Sequence, residues 1–284
     1  MSRLRASLVA LVLTALPSTA SAYCQTLTCA GECERDRDAC PVGGHPVHWT
    51  KLPIVYRFHS RGSRLLVREE ARAAIRASFH RWSDVVCPDG RRTSLRFREE
   101  EDTDVEKGLE PNDRPSQPFG IYFRDFGWPH KKRDATLALT TLDFSKKDGT
   151  VLYGDIEINS GAKRFAVTED GDGIDLQAVM THEVGHYIGL AHSTARGSIM
   201  AESHCEIGDG RCEKGKFAAR RLADDDIEAV CDLYPPGAQN PPENAPPVSC
   251  STAPEREAAL SIGTSAVLVV ISLAAALRRR LRSR

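Results

Sequence analysis

The 284-residue chain is 41% hydrophobic and 27% charged with nine cysteines, a globular composition that excludes disordered and collagen-like classes. Its formal charge of −1 hides an uneven spread, since residues 23–277 carry 31 basic against 39 acidic side chains and the other arginines sit at the two ends. So acidic a body lacks the basic face that phosphate neutralisation requires, which excludes a nucleic-acid binder.

In chain order, residues 1–22 open with Arg3 and Arg5, run through apolar residues from Leu8 to Leu13, and finish Ala20-Ser21-Ala22. A charged start, a short apolar centre and a small-residue exit read as a secretory signal peptide, so the mature chain is expected to begin at Tyr23. Residues 23–48 form a Cys-rich N-terminal segment. Setting Cys250 aside leaves Cys24, Cys29, Cys33, Cys40, Cys87, Cys205, Cys212 and Cys231, an even eight, and export makes disulfides the expected state. Cys205 with Cys212 is the one pair local enough to propose. Two rival readings of the first four cysteines are a zinc cluster, disfavoured by its loose spacing, and a free thiolate that reaches an active-site metal and blocks it.

The domain proper is expected over 49–234. Ile54-Val55-Tyr56-Arg57-Phe58 reads as a strand, followed by a turn. Val67, Ala71, Ala74, Ile75, Ser78, Phe79 and Trp82 then recur at steps of three and four, which predicts an amphipathic helix lasting until about Asp84. Shorter strands are expected over 94–98, 120–124, 135–140 and 152–159. The acidic run from Glu99 to Asp104 and the basic run Lys131-Lys132-Arg133 read as solvated loops. Asp170-Gly171-Asp172-Gly173 offers oxygens to Ca2+, but it lacks the full EF-hand pattern and reads better as a loop. A second helix is predicted from Asp175, and a third from Asp224 to Tyr234, stopped by Pro235. Strands with three helices make an α+β domain.

Seven prolines in 235–257 give a stiff extended linker. Residues 258–277 hold no charge and, at 1.5 Å per residue, reach roughly 30 Å as a helix, the thickness of a bilayer core. Residues 278–284 add five arginines, which tend to stay cytoplasmic, so 258–277 is read as a transmembrane or sorting segment attaching an outward-facing body to a membrane or cell surface. Cys250, the apolar span and the arginines together resemble the tripartite sorting signals of some Gram-negative surface proteins.

The chemistry is concentrated in 182–193, His-Glu-Val-Gly-His-Tyr-Ile-Gly-Leu-Ala-His-Ser. Histidines four apart on a helix stand one above the other, so His182 and His186 can present two nitrogens to one ion. Gly189 can take the left-handed conformation that ends the helix and swings His192 back as a third ligand. Three neutral nitrogens and one open position are what a catalytic zinc needs, and Glu183 lies beside such an ion, placed to take a proton from water.

The stretch His182-Glu183-x-x-His186-x-x-Gly189-x-x-His192 resembles the zinc signature of metzincin metalloproteases, and Ser193 is similar to the matrixin branch. Ser198-Ile199-Met200 follows where such enzymes have a methionine turn. The resemblance implies a twisted, mostly parallel five-stranded sheet with three helices, Zn2+ held by His182, His186 and His192, Glu183 as general base, and Met200 as the turn methionine. It also implies a protein or peptide substrate, and the chain is expected to act as a monomer. Glu157 stands where vertebrate matrixins place a histidine for a second, structural zinc, and no such second site is expected. Two other functions fit the same residues: an inactive surface module stabilised by metal, and a zinc hydrolase acting on a cell-wall amide.

Overall fold

The computed structural model describes residues 23–29, 32–106, 120–167, 173–202, 220–237 and 266–268. Two short strands in the Cys-rich segment, β1 (Glu34–Arg35) and β2 (Pro41–Val42), pair antiparallel. Then follow β3 (Ile54–Phe58), α1 (Arg68–Ser83), β4 (Phe97–Glu99), β5 (Gly120–Phe123), β6 (Ala138–Phe144) and β7 (Val151–Ile158). After these come β8 (Phe165–Ala166), β9 (Ile174–Asp175), α2 (Leu176–Tyr187), α3 (Asp224–Leu233) and β10 (Ala266–Leu268).

The body is α+β, with three helices and a five-stranded sheet in the order β6-β7-β5-β3-β4. β4, β3, β5 and β7 run parallel, and β6 alone is antiparallel to its neighbour. In β3 the alternation is clean: Ile54, Tyr56 and Phe58 point into the core while Val55 and Arg57 are half-buried. Most of β6 and β7 is buried, since these strands pass behind α2. At the outer edge of β6, Ala266–Leu268 adds an antiparallel strand, with Leu268 opposite Thr141. These three are the only described residues of 258–277. Among the described residues no helix is long and apolar enough to cross a membrane.

α1 and α2 meet through hydrogen bonds between buried groups as well as apolar packing. The indole of Trp82 donates to the carbonyl of Thr181 at 2.8 Å, and the hydroxyl of Ser78 to that of Gln177 at 3.0 Å. Phe79 stacks on Tyr56 at 4.0 Å between ring centroids, which joins α1 to the sheet. A disulfide between Cys87 and Cys231 ties the loop after α1 to α3.

Part of the acidic run behaves differently from expectation. Glu99 ends β4 and is clasped by Arg72 and Arg76 of α1 at 2.7–2.8 Å, Arg72 also holds Asp102, and Thr103 is buried. Glu99, with Glu100 half-buried beside it, therefore closes one end of the sheet, because the arginines of the polar face of α1 lie directly above it, while Glu101, Asp102 and Asp104 stay exposed as expected. Hydrogen bonds from Arg76, opposed by burial and aided by Arg72, hold the Glu99 carboxyl down to about 2, against an ordinary 4.5. A depressed carboxylate contributes stability that is fully present above its unfolded value and is lost as pH falls through the folded one. Glu99→Gln should therefore be less stable than wild type by about 1 kcal/mol at pH 6, after allowance for solvent screening. The difference should shrink between pH 4.5 and 2, followed as Tm against pH; a gap that persists at pH 2 would contradict this assignment.

Cys24 pairs with Cys40 and Cys29 with Cys33. All four N-terminal cysteines are thus cross-linked, which overturns both the zinc-cluster and the blocking-thiolate readings. The signal segment 1–22, the Cys205 and Cys212 pairing, the Asp170–Asp172 loop, most of the linker and the arginine tail lie outside the described residues.

Candidate metal centre

α2 is capped by Asp175, whose side chain accepts from the backbone N–H groups of Gln177 and Ala178 and is braced by Arg220 at 2.7 Å. It ends in a Schellman turn: Gly189 N–H bonds to the carbonyl of His186, and Leu190 N–H to that of Gly185, both at 2.9 Å. Gly189 has φ +105°, and a Cβ there would sit 1.9 Å from the backbone oxygen of Val47, so only glycine fits. The turn sends the chain back over the helix and returns His192 to the other two histidines.

The three imidazoles converge, with candidate ligand nitrogens within 4.8 Å of one another. His182 Nδ1 lies 2.7 Å from the carbonyl of Ile199, and His186 Nδ1 lies 2.8 Å from that of Leu190. A carbonyl only accepts, so each Nδ1 carries the proton and each Nε2 keeps its lone pair. Those two Nε2 atoms are 3.0 Å apart and cannot bond to each other, since both are acceptors. Two lone pairs face to face repel, and a cation between them would turn that repulsion into attraction. His192 Nε2 is buried without a hydrogen-bond partner. The donor set therefore fits a zinc ion, and the residues of the predicted triad are together.

Burial and the neighbouring His182 and His192 push His186 well below the ordinary histidine range, and burial likewise lowers His192. Both are thus neutral near pH 7, the form that ligates. Glu183 is 1% exposed, and its carboxylate accepts from the Thr140 hydroxyl of β6 at 2.6 Å. Burial raises its pKa to about 8, and the hydrogen bonds of Thr140 oppose the rise.

Met200 is buried beneath α2, where a Cβ on Gly185 would come 2.2 Å from its sulfur. The turn carrying it is fixed from α3. Asp226 accepts from the Ser198 hydroxyl at 2.6 Å, from Ile199 N–H at 2.9 Å and from Ala223 N–H at 2.8 Å. Ser193 in turn reaches Asp225 at 2.7 Å. Sequence reasoning missed Thr140 and Asp226. For Asp226 the available signal was an acid in the first turn of an expected helix, which also serves as an ordinary cap. Thr140 carried none.

Glu157, which the sequence places where a second-zinc histidine would fall, is fully buried and bonded by Arg124 at 2.7 Å and His130 at 2.8 Å. Its carboxylate is occupied by side chains of the loop that follows β5.

Comparison with known proteins gives a match to the matrixin family model over residues 48–235. Matrix metalloproteinase-C of Caenorhabditis elegans is 27% identical over 206 residues, 70% of this chain and 31% of that protein. Human matrix metalloproteinase-25 is 28% identical over 195 residues, 68% and 31% of the two chains. The hatching enzyme of Paracentrotus lividus is 28% identical over 199 residues, 69% and 28%. The chain spans less than a third of the length of these relatives.

Proposed function

From the premise that this chain belongs to the matrixin family, we propose that it is an exported, surface-associated zinc endopeptidase that hydrolyses peptide bonds with Glu183 as general base. The observation that carries the reading is the convergence of three imidazoles beside a buried carboxylate that, among the described residues, has no ion-pair partner. His182, His186 and His192 would hold the ion, and zinc bound there supplies Lewis acidity and a water acidic enough to lose its proton near neutral pH. Glu183 would take that proton at its carboxylate and return it to the departing amine nitrogen. Thr140 keeps the carboxylate oriented, its hydroxyl donating to one carboxylate oxygen at 2.6 Å. Met200 and Asp226 form the floor and the brace of the site.

A protein substrate is favoured over a cell-wall amide by the outer edge of β6. That edge runs past Thr140 and accepts an extended antiparallel strand at 266–268, and an extended peptide presents the same backbone pattern. Export is supported by three disulfides, which persist in oxidising compartments. Surface attachment rests on the sequence pattern alone, an uncharged run at 258–277 followed by five arginines, and residues 266–268 would have to leave the edge of β6 for that run to enter a membrane.

The test is cleavage of an unfolded protein and of a cell-wall amide by the purified chain, before and after chelation. Proteolysis that disappears with chelator and returns with one equivalent of zinc is expected. Cleavage of the cell-wall amide alone would replace the substrate class, and zinc uptake with no cleavage of either would make the chain an inactive metal-stabilised module.

A further inference from the structure

Residues 23–47 precede the matched domain, yet they are built into the metal centre. Gln25 pairs antiparallel with Leu190, in the loop between the second and third histidines. Thr26 N–H donates to the carbonyl of Gly189 at 2.8 Å, and Ala191 N–H donates to that of Cys24 at 2.9 Å. The Thr26 hydroxyl donates to the carbonyl of Leu190 at 3.2 Å, the same oxygen that accepts the Nδ1 proton of His186. One lone pair of that oxygen is therefore held by the strap and the other by the ligand. The segment is closed on itself by the Cys24–Cys40 disulfide and by Val47 N–H to Thr26 at 2.8 Å, which sets the backbone of Val47 directly against Gly189.

We propose that this cystine-tethered strap is a metal-retention device, with Thr26 a positioning residue: by pinning residues 189–191 it fixes His186 through the Leu190 carbonyl and His192 through the chain beside Cys24. The proposal rests on the zinc reading of the three histidines. Residues 189–191 belong to no helix or strand, and without the strap the Gly189 carbonyl and the Ala191 N–H would lose these partners. A ligand loop ordered before the ion arrives loses less entropy on binding, and partners that orient a metal-bound imidazole are commonly worth 10–100-fold in metal affinity. Thr26 stands one bond further out, so a smaller factor applies to it alone.

The experiment is zinc affinity by competition with a chromophoric chelator, together with the visible spectrum of the cobalt-substituted protein and Tm with and without metal. Thr26→Val keeps the shape of the side chain and removes the donor, and Thr26→Ser restores it. Thr26→Val should weaken zinc binding by about 3–10-fold and shift the cobalt bands, and Thr26→Ser should return both towards wild type. The paired change Cys24→Ala with Cys40→Ala should weaken zinc by about 10–100-fold. If that pair fails to fold, the threonine variants decide alone. Zinc affinity within twofold of wild type in Thr26→Val, with Tm lowered equally in metal-free and loaded forms, would assign the strap a purely structural role and overturn the proposal. A wild-type protein that binds zinc but cleaves no peptide defeats the protease reading and leaves this affinity comparison standing. A wild-type protein that takes up no zinc overturns both.

Discussion

Glu183→Gln is expected to keep one equivalent of zinc and to lose peptide hydrolysis by about 10²–10⁴-fold, the range that general-base catalysis contributes. The substitution is close to isosteric, and the amide oxygen can still accept from Thr140, so the packing around a side chain that is 1% exposed is retained. What disappears is the basic oxygen. Burial raises its affinity for a proton above that of a solvated glutamate, so once ionised it is the stronger acceptor. The measurement is kcat/KM on a fluorogenic peptide alongside zinc content by atomic absorption. Equal activity in variant and wild type would remove Glu183 from the mechanism, and loss of zinc together with activity would show that its role is structural.

Gly189→Ala is expected to destabilise the fold by about 3 kcal/mol or more and to abolish stoichiometric zinc binding. Two costs add. At φ +105° an alanine is strained, by about 1–3 kcal/mol, and its Cβ would meet the Val47 oxygen at 1.9 Å, an atom of the backbone that no rotamer can move. Relief requires the turn to open, and the turn is what returns His192 to the other histidines. Denaturant midpoint and zinc content report the two consequences separately. An alanine variant with wild-type values for both would show that the close approach is not a constraint.

The residues that converge at the candidate centre were legible in the sequence because they are local. His182, Glu183, His186, Gly189 and His192 fall within 11 consecutive residues, and helical geometry with one left-handed turn already places them. The helices were legible too: the period-3.6 stripe from Ala71 to Trp82 matches α1 closely. The strands β6 and β7 were placed to within a few residues. What was not legible is whatever depends on a distant partner. Thr26 acts on Leu190 from 164 positions away, Thr140 on Glu183 from 43, and Asp226 on Ser198 from 28. In each case the side chain is a threonine or aspartate with no local peculiarity. The misread start of the acidic run has the same origin: Glu99 looks solvated until α1 lays Arg72 and Arg76 across it. Charge patterning gives sign and density along the chain, not what stands opposite.

The bridge from Cys87 to Cys231 closes a covalent ring around 144 positions of chain, and all three histidines and Glu183 lie inside it. A single backbone cut anywhere within that ring leaves both fragments joined, with the sheet, α2 and α3 still in one molecule. For an exported hydrolase of the kind proposed, meeting other proteolytic enzymes and its own copies, nicking and destruction thereby become separate events, and a clipped molecule can persist as a two-chain form.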